Sequence, residues 1–329
     1  MLQIPKPFTD ELAHAHRIRI LALNNMSAGK NIHQPVYFNQ FIQATQPLKP
    51  KNWPLKWKVK FTHEITALLV GMDSYSYRAR HTMLALTLNW QYMRDQSLVC
   101  NRDLWQYYSF PGLYYHKNLR EPPERLCRKC VKEDTDLHGM GWWKRKHHIC
   151  GIDICPTHLT PLEHCPPGTI LNDVNPSKAQ GKESDAALVE ANFHPIIMRY
   201  CNLVQMVLIE PATIHYPAIL EQTIARLKEM KKQREFQAPT ERASEVDILW
   251  KHVCAKLPRP WVTYHGDYDC TNERRYLKER PSDELFQEMK FFRLYSLQNP
   301  IYLLMVMSTI FDSDREIENI LSKQSEMEL

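Results

Sequence analysis

Two short pairs of metal-binding residue types constrain this chain more than any other feature. They are Cys127-Arg128-Lys129-Cys130 and, 24 residues further on, Cys155-Pro156-Thr157-His158. A gap of two residues makes a tight knuckle that turns both side chains towards one point. Two knuckles supply three thiolates and an imidazole, enough to enclose a tetrahedral ion with no position left for water. A site closed in this way is structural, and its binding energy is folding energy, on the order of 10–16 kcal/mol in isolated finger peptides. A lone C-x-x-C is also a redox motif, but a C-x-x-H at finger-like separation points to metal. The expected cofactor is one structural Zn2+ held by Cys127, Cys130, Cys155 and His158.

Other donors crowd the same stretch. His147 and His148 form a tempting pair, and Cys150, His164 and Cys165 lie nearby. Cys150 would need a five-residue step to Cys155, which knuckle geometry disfavours, and Cys165 has no partner cysteine close by. Trp142-Trp143-Lys144-Arg145-Lys146-His147-His148 reads as a basic-aromatic strand between the knuckles, with its histidines serving packing and surface charge. The remaining cysteines, Cys100, Cys201, Cys254 and Cys270, are isolated. Nine cysteines, an odd number with most of them clustered, suit metal binding in a reducing compartment better than a disulfide framework.

The chain has 329 residues, more than one typical domain, with an apolar fraction of 43% and scarce glycine, nine in all, against 22 prolines. Few glycines and long apolar-periodic stretches predict a mostly α protein punctuated by prolines. Residues 1–99 read as a basic helical, helix-turn-helix-like module, 100–165 as a zinc-finger or ribbon module, 166–195 as a polar linker or long loop, and 196–329 as a helical C-terminal domain. In the first module Thr9 is a candidate N-cap, Asp10 and Glu11 sit in the first turn, and Leu12, Ala15, Ile18 and Ala22 recur at helical spacing. Further helices are expected around residues 37–45 and 63–70. Beyond residue 196, Ile219, Leu220, Thr223, Ile224 and Leu227 line one helical face. Residues 300–307 are apolar nearly all round, as in a buried helix, and residues 314–321 form a last amphipathic one.

Net charge is +5, yet residues 1–60 hold nine Lys/Arg against Asp10 and Glu11, a balance of +7 that leaves about −2 elsewhere. A basic module of this kind fits phosphates or a nucleoprotein partner. The segment 49–60 interleaves Lys56 and Lys58 with Trp53 and Trp57, a mixture able to stack on bases or to pack its tryptophans on a neighbouring core. Arg17, Arg19, Lys56, Lys58, Lys144, Arg145 and Lys146 are the candidate contacts to nucleic acid or a partner. No apolar run reaches the roughly 18–20 residues of a membrane span, and the N-terminus lacks an apolar signal core, so a cytoplasmic protein without a membrane partner is expected. Neither H-E-x-x-H nor H-x-E, a Walker loop nor a G-x-S-x-G elbow occurs, so no catalytic site is expected.

Cys127-x-x-Cys130, then Gly139, Trp143 and Arg145, then Cys155-Pro156-Thr157-His158 and Pro161-Leu162, resembles the zinc-finger block of the TniQ/TnsD family of bacterial transposon target-selection proteins. Residues 5–12, with Arg17 or Arg19 downstream, resemble that family's opening. The resemblance implies a bacterial adaptor that recognises a target and recruits a AAA+ ATPase regulator, which licenses the transposase. Some members read an attachment site in DNA directly. Shorter ones ride on a CRISPR RNA-guided complex, often as a homodimer, and the length of this chain leans towards these. Some carry a second four-cysteine finger, of which only Cys165 would remain here.

Overall fold

In the computed structural model, the described residues are 3–25, 67, 70–82, 124–166, 169–209, 216–233, 252–265 and 300–322. Among them the protein is mostly helical with little strand. They fall in two compact units, one within Met1–Leu84 and Lys117–Val189, the other within Glu190–Leu329. No described helix is long and apolar enough to cross a membrane.

The first unit combines the N-terminal helix with the cysteine-rich segment. Helix α1 spans Ala13–Leu23, and α2 spans Ser74–His81. Strand β1, Glu124–Leu126, leads through Cys127 into α3, Arg128–His138. Helix α3 ends where Gly139 takes the left-handed conformation (φ 76°) and its N–H bonds the Thr135 carbonyl at 2.8 Å, a stop that only a residue without Cβ makes freely. Strand β2, Glu163–Cys165, pairs antiparallel with β1, placing Arg125 opposite His164 and Leu126 opposite Glu163. After the short α4, Thr169–Asn172, strand β3, Lys182–Glu183, adds to the other edge of β2. The stretch expected as a linker is thus partly built into the sheet. Backbone pairing does this work, so the exposed, polar side chains of β3 gave no strand signal.

Helix α1 begins later than expected. Thr9, Asp10 and Glu11 precede it, and its N-cap is Leu12 with no side-chain cap bond. Asp10 instead has a positive φ of 60°, and its carbonyl and carboxylate accept from the Arg145 and Lys146 backbone N–H groups at 2.8 and 3.1 Å. Leu12 donates to the Trp143 carbonyl at 2.9 Å. Leu12, Ala15, Leu126, Val131, Trp143, Cys165, Ile170 and Ala179 form one core, so the N-terminal segment and the cysteine-rich segment share their apolar interior. Around them Phe8 stacks on Trp142 with centroids 4.3 Å apart, flanked by Arg19 over Phe8 and Lys144 over Trp142. The helix expected over residues 37–45 lies outside the described residues, as does most of 63–70, where Ala67 and Val70 are buried with Ala13 and Tyr77.

The second unit bears the helices that periodicity indicates. After α5, Ala186–Asn192, come α6, Pro195–Ile209, and α7, Tyr216–Lys232, then α8, Arg259–His265, α9, Pro300–Ile310, and α10, Asp314–Ser322. Helices α6 and α9 pack together. The Arg199 guanidinium donates to the Ser308 and Phe311 carbonyls at 2.8 and 2.6 Å, satisfying acceptors that the end of α9 leaves open. Within that buried helix Ser308 and Thr309 return their hydroxyls to the carbonyls of Leu304 and Met305.

Candidate metal centre

The first knuckle starts from extended backbone at Cys127 (φ −113°, ψ 122°), the residue that hands β1 over to α3. One turn of α3 then brings Cys130 round to the same side. The second knuckle is pinched by a bridge between Ile154 and Pro161, and Cys155 N–H bonds the Thr160 carbonyl at 2.8 Å. Pro156 pre-sets φ at the start of this turn, and Leu159 closes it with a positive φ of 52°.

These turns converge. The Nδ1 atom of His158 lies 3.5, 3.3 and 3.7 Å from the sulfurs of Cys127, Cys130 and Cys155, and the Cys130 and Cys155 sulfurs are 3.7 Å apart. With bonds of about 2.3 Å to sulfur and 2.1 Å to nitrogen, a tetrahedral zinc site has edges of about 3.8 Å (S to S) and 3.6 Å (S to N). The four distances fit that figure. The other ring nitrogen of His158 pairs with the Glu133 carboxylate at 2.9 Å, the outer partner that metal-binding histidines usually have.

A second imidazole reaches the cluster. Cys127, Cys130, His147 and Cys155 are all buried, present ligand atoms within 4.8 Å of one another, and could hold a metal ion. His147 Nε2 stands 3.6 Å from the Cys155 sulfur. The expected strand over residues 142–148 is instead a loop ending in a 3-10 turn, Arg145–His148, and neither histidine provides surface charge. His148 is fixed by accepting the Arg125 N–H (3.2 Å) and donating to the Lys144 carbonyl (3.0 Å). The position of His147 depends on a turn whose neighbours are distant in sequence, so spacing alone offered no sign of it.

Electrostatics point the same way. Backbone N–H groups of Cys130 address the Cys127 sulfur, and those of Thr157 and His158 address the Cys155 sulfur. Thiol hydrogen bonds from Cys130 and Cys155 pull the Cys127 pKa down, and the reciprocal interaction with Cys127 pushes those of Cys130 and Cys155 up. Three sulfurs this close cannot all ionise unaided, whereas a divalent cation would favour all three thiolates together. Burial pushes the thiols of Cys150 and Cys165 up to about 12 and about 11, as expected of inert core cysteines.

The remaining candidates separate clearly. Arg17, Arg19 and Arg145 are no more than 4% exposed, which corrects the expectation that they face a nucleic acid. Arg19 forms a two-pronged pair with Glu11 (2.9 and 2.7 Å), and Arg145 bonds Asp10 at 3.1 Å. Of the two acidic residues that reduce this segment's net charge, Glu11 is thus the partner of Arg19, and Asp10 that of Arg145 in the cysteine-rich stretch. Lys144 pairs with Asp134 at 2.8 Å, and Lys146 donates to Thr157 at 2.6 Å. Lys56 and Lys58 lie outside the described residues.

Ser184, His164 and Asp153 have the residue types of a hydrolase triad but not its wiring. Ser184 Oγ and Asp153 Oδ1 both address His164 Nε2, at 3.0 and 3.2 Å, and Ser184 donates to the Leu162 carbonyl at 2.9 Å. A triad uses opposite ring nitrogens for the two partners. Here the arrangement ties β2 to the start of α5.

Compared with protein-family models and with curated proteins, the sequence matches none.

Proposed function

We propose that Cys127, Cys130, Cys155 and His158 hold one structural zinc ion, and that the chain is a non-catalytic adaptor in transposition. In this reading it links a target, presented by a CRISPR RNA-guided complex, to a AAA+ ATPase regulator and so to the transposase. The metal assignment is carried by the meeting of His158 Nδ1 with three sulfurs at tetrahedral edge lengths. When bound, zinc would supply charge compensation for three thiolates and a cross-link between the two knuckles. The adaptor role is supported by the residues that resemble the TniQ/TnsD block. Two of these have specific local work here: Gly139 stops α3, and Trp143 fills the shared core.

The second reading is a protein that finds a DNA site unaided, as TnsD-like members do. It needs exposed cations to meet phosphates. The burial of Arg17, Arg19 and Arg145 removes three of the expected contacts and favours the adaptor.

Two measurements test the proposal. Elemental analysis of the purified chain should give one zinc, and Cys127→Ser should lose it together with the melting transition of the first unit. Unchanged zinc content and melting in that variant would overturn the ligand set. Co-purification with a guide complex and the ATPase, beside duplex binding across a salt series, separates the two roles. Tight, site-specific binding to naked duplex would favour the direct reader.

A further inference from the structure

The cluster contains one donor too many for a closed tetrahedral site: three sulfurs and two imidazoles. We infer that His147 is not a ligand but a positioning residue, which donates its Nε2–H to the Cys155 thiolate and holds that sulfur in place from the buried side. The inference rests on the zinc reading above.

Three observations carry it. His158 meets all three sulfurs at 3.3–3.7 Å, whereas His147 makes its hydrogen-bond contact with Cys155, at 3.6 Å. That is the reach of an N–H donor to sulfur beside a coordination shell that is already full. Second, the two rings differ in outer partners. His158 has Glu133 on its far nitrogen, the arrangement that makes the near nitrogen a good ligand. His147 Nδ1 is buried with no protein partner among the described residues. A neutral imidazole carries one proton, so placing it on Nε2 directs the only N–H at the sulfur. Third, Cys155 already collects backbone N–H groups from Thr157 and His158. Three thiolates around Zn2+ leave one net negative charge, and in a buried site that charge is best spread by donors pointed at sulfur. His147 is 1% exposed and supplies such a donor from outside the two knuckles.

The test compares His147→Leu, which fills the space without a donor, with His147→Gln, whose amide N–H reaches a similar position. Each full-length variant is assayed for zinc content, for Zn2+ affinity by chelator competition, and for the visible spectrum of its Co2+-substituted form. The expected result is that His147→Leu keeps one zinc and the three-sulfur, one-nitrogen cobalt spectrum. Its zinc affinity should fall about tenfold, the lower end of what outer partners of metal ligands contribute. His147→Gln should recover most of that loss. Unchanged affinity in His147→Leu would remove the hydrogen bond. Loss of the three-sulfur, one-nitrogen spectrum in His147→Leu, with its retention in His158→Ala, would make His147 the ligand. Should His147→Leu fail to fold, the Gln variant decides alone: near-normal affinity supports the donor role, and loss of the metal overturns it. A wild-type chain that binds no zinc would sink the metal reading itself, a different outcome from any of these.

Discussion

The buried pair between Arg19 and Glu11 offers a sharp test of how the N-terminal segment is held. Arg19→Met keeps most of the aliphatic stem but removes the guanidinium that meets both Glu11 oxygens, donates to the Lys6 carbonyl at 2.9 Å and covers the Phe8 ring at 4.4 Å. Glu11, 1% exposed, would keep the Phe8 N–H at 2.8 Å as the one partner of its side chain among the described residues. Breaking a buried pair from one side costs about 3–5 kcal/mol, because the remaining charge is left without compensation. The sign of the pH dependence follows from Glu11. Burial already raises its pKa above the usual carboxylate value even with Arg19 present, and losing Arg19 removes most of what opposes that rise, leaving the Phe8 N–H. A raised native pKa means that the folded state takes up the proton first. The penalty in Arg19→Met is therefore full above that pKa and shrinks as pH falls towards the unfolded carboxylate value, by up to about 1.4 kcal/mol per unit. Urea unfolding followed by tryptophan fluorescence suits the site, since Trp142 stacks on Phe8. A Glu11→Gln, Arg19→Met double variant should recover most of the loss at neutral pH. If the single variant unfolds within about 1 kcal/mol of wild type, below the range for a broken buried pair, or the double variant is no more stable than the single, the pair does not hold the segment.

Two further outcomes are expected. A Cβ at Gly181 would stand 2.8 Å from Glu163 Cβ and 3.0 Å from the Cys165 sulfur, so Gly181→Ala should cost about 1–3 kcal/mol by forcing β3 from β2, read as a lower melting temperature. His16 and His81 are buried and neutral, with pKa values lowered by desolvation to about 3 and about 4. His16 donates to the Pro5 carbonyl and accepts from Tyr77, near Arg17 and Arg19, and a second proton would break that set. Native pKa values below the unfolded one place this stability above about pH 6.5, to be lost as pH falls towards 4, by about 2 kcal/mol per histidine at pH 5. His16→Gln or His81→Gln should flatten the acid limb of a stability titration, and an unaltered slope would show that these groups do not set it.

What could be read from the sequence divides by the range of the interaction responsible. The knuckles are local, so Cys127-x-x-Cys130 and Cys155-x-x-His158 were visible as spacing. Helices α7 and α10 were visible as period, because one face of each meets a core whatever its partner is, and α9 as a run apolar nearly all round. The start of α1 was misplaced for the opposite reason. Thr9-Asp10-Glu11 has a good capping composition, but Asp10 is held by Arg145, 135 residues away, and its backbone is turned to a positive φ. Strand β3 failed to show because Lys182 and Glu183 belong to the sheet through backbone alone. The charge tally misled in an instructive way. It counted Arg17 and Arg19 as surface cations, whereas both are buried and Arg19 is the counterpart of Glu11; Arg145, expected from its own segment as a contact, is the buried counterpart of Asp10.

The same few residues explain why the basic N-terminal segment cannot be treated apart from the cysteine-rich one. The 3-10 turn Arg145–His148 faces two ways. On one side Arg145 and Lys146 grip Asp10, and on the other His147 meets the Cys155 sulfur. A turn of four residues has too few internal hydrogen bonds to keep its own shape, so its geometry is set by what it touches. The buried arginine and the buried imidazole are then two anchors of one element. Order at the cysteine cluster and order at residues 8–12 are linked through it, with Leu12 and Trp143 joined by a backbone bond at the same junction. A cysteine–histidine cluster drawn from residues 127–158 thus helps to place a helix that starts at residue 13, and the presence of both in one compact unit accords with that.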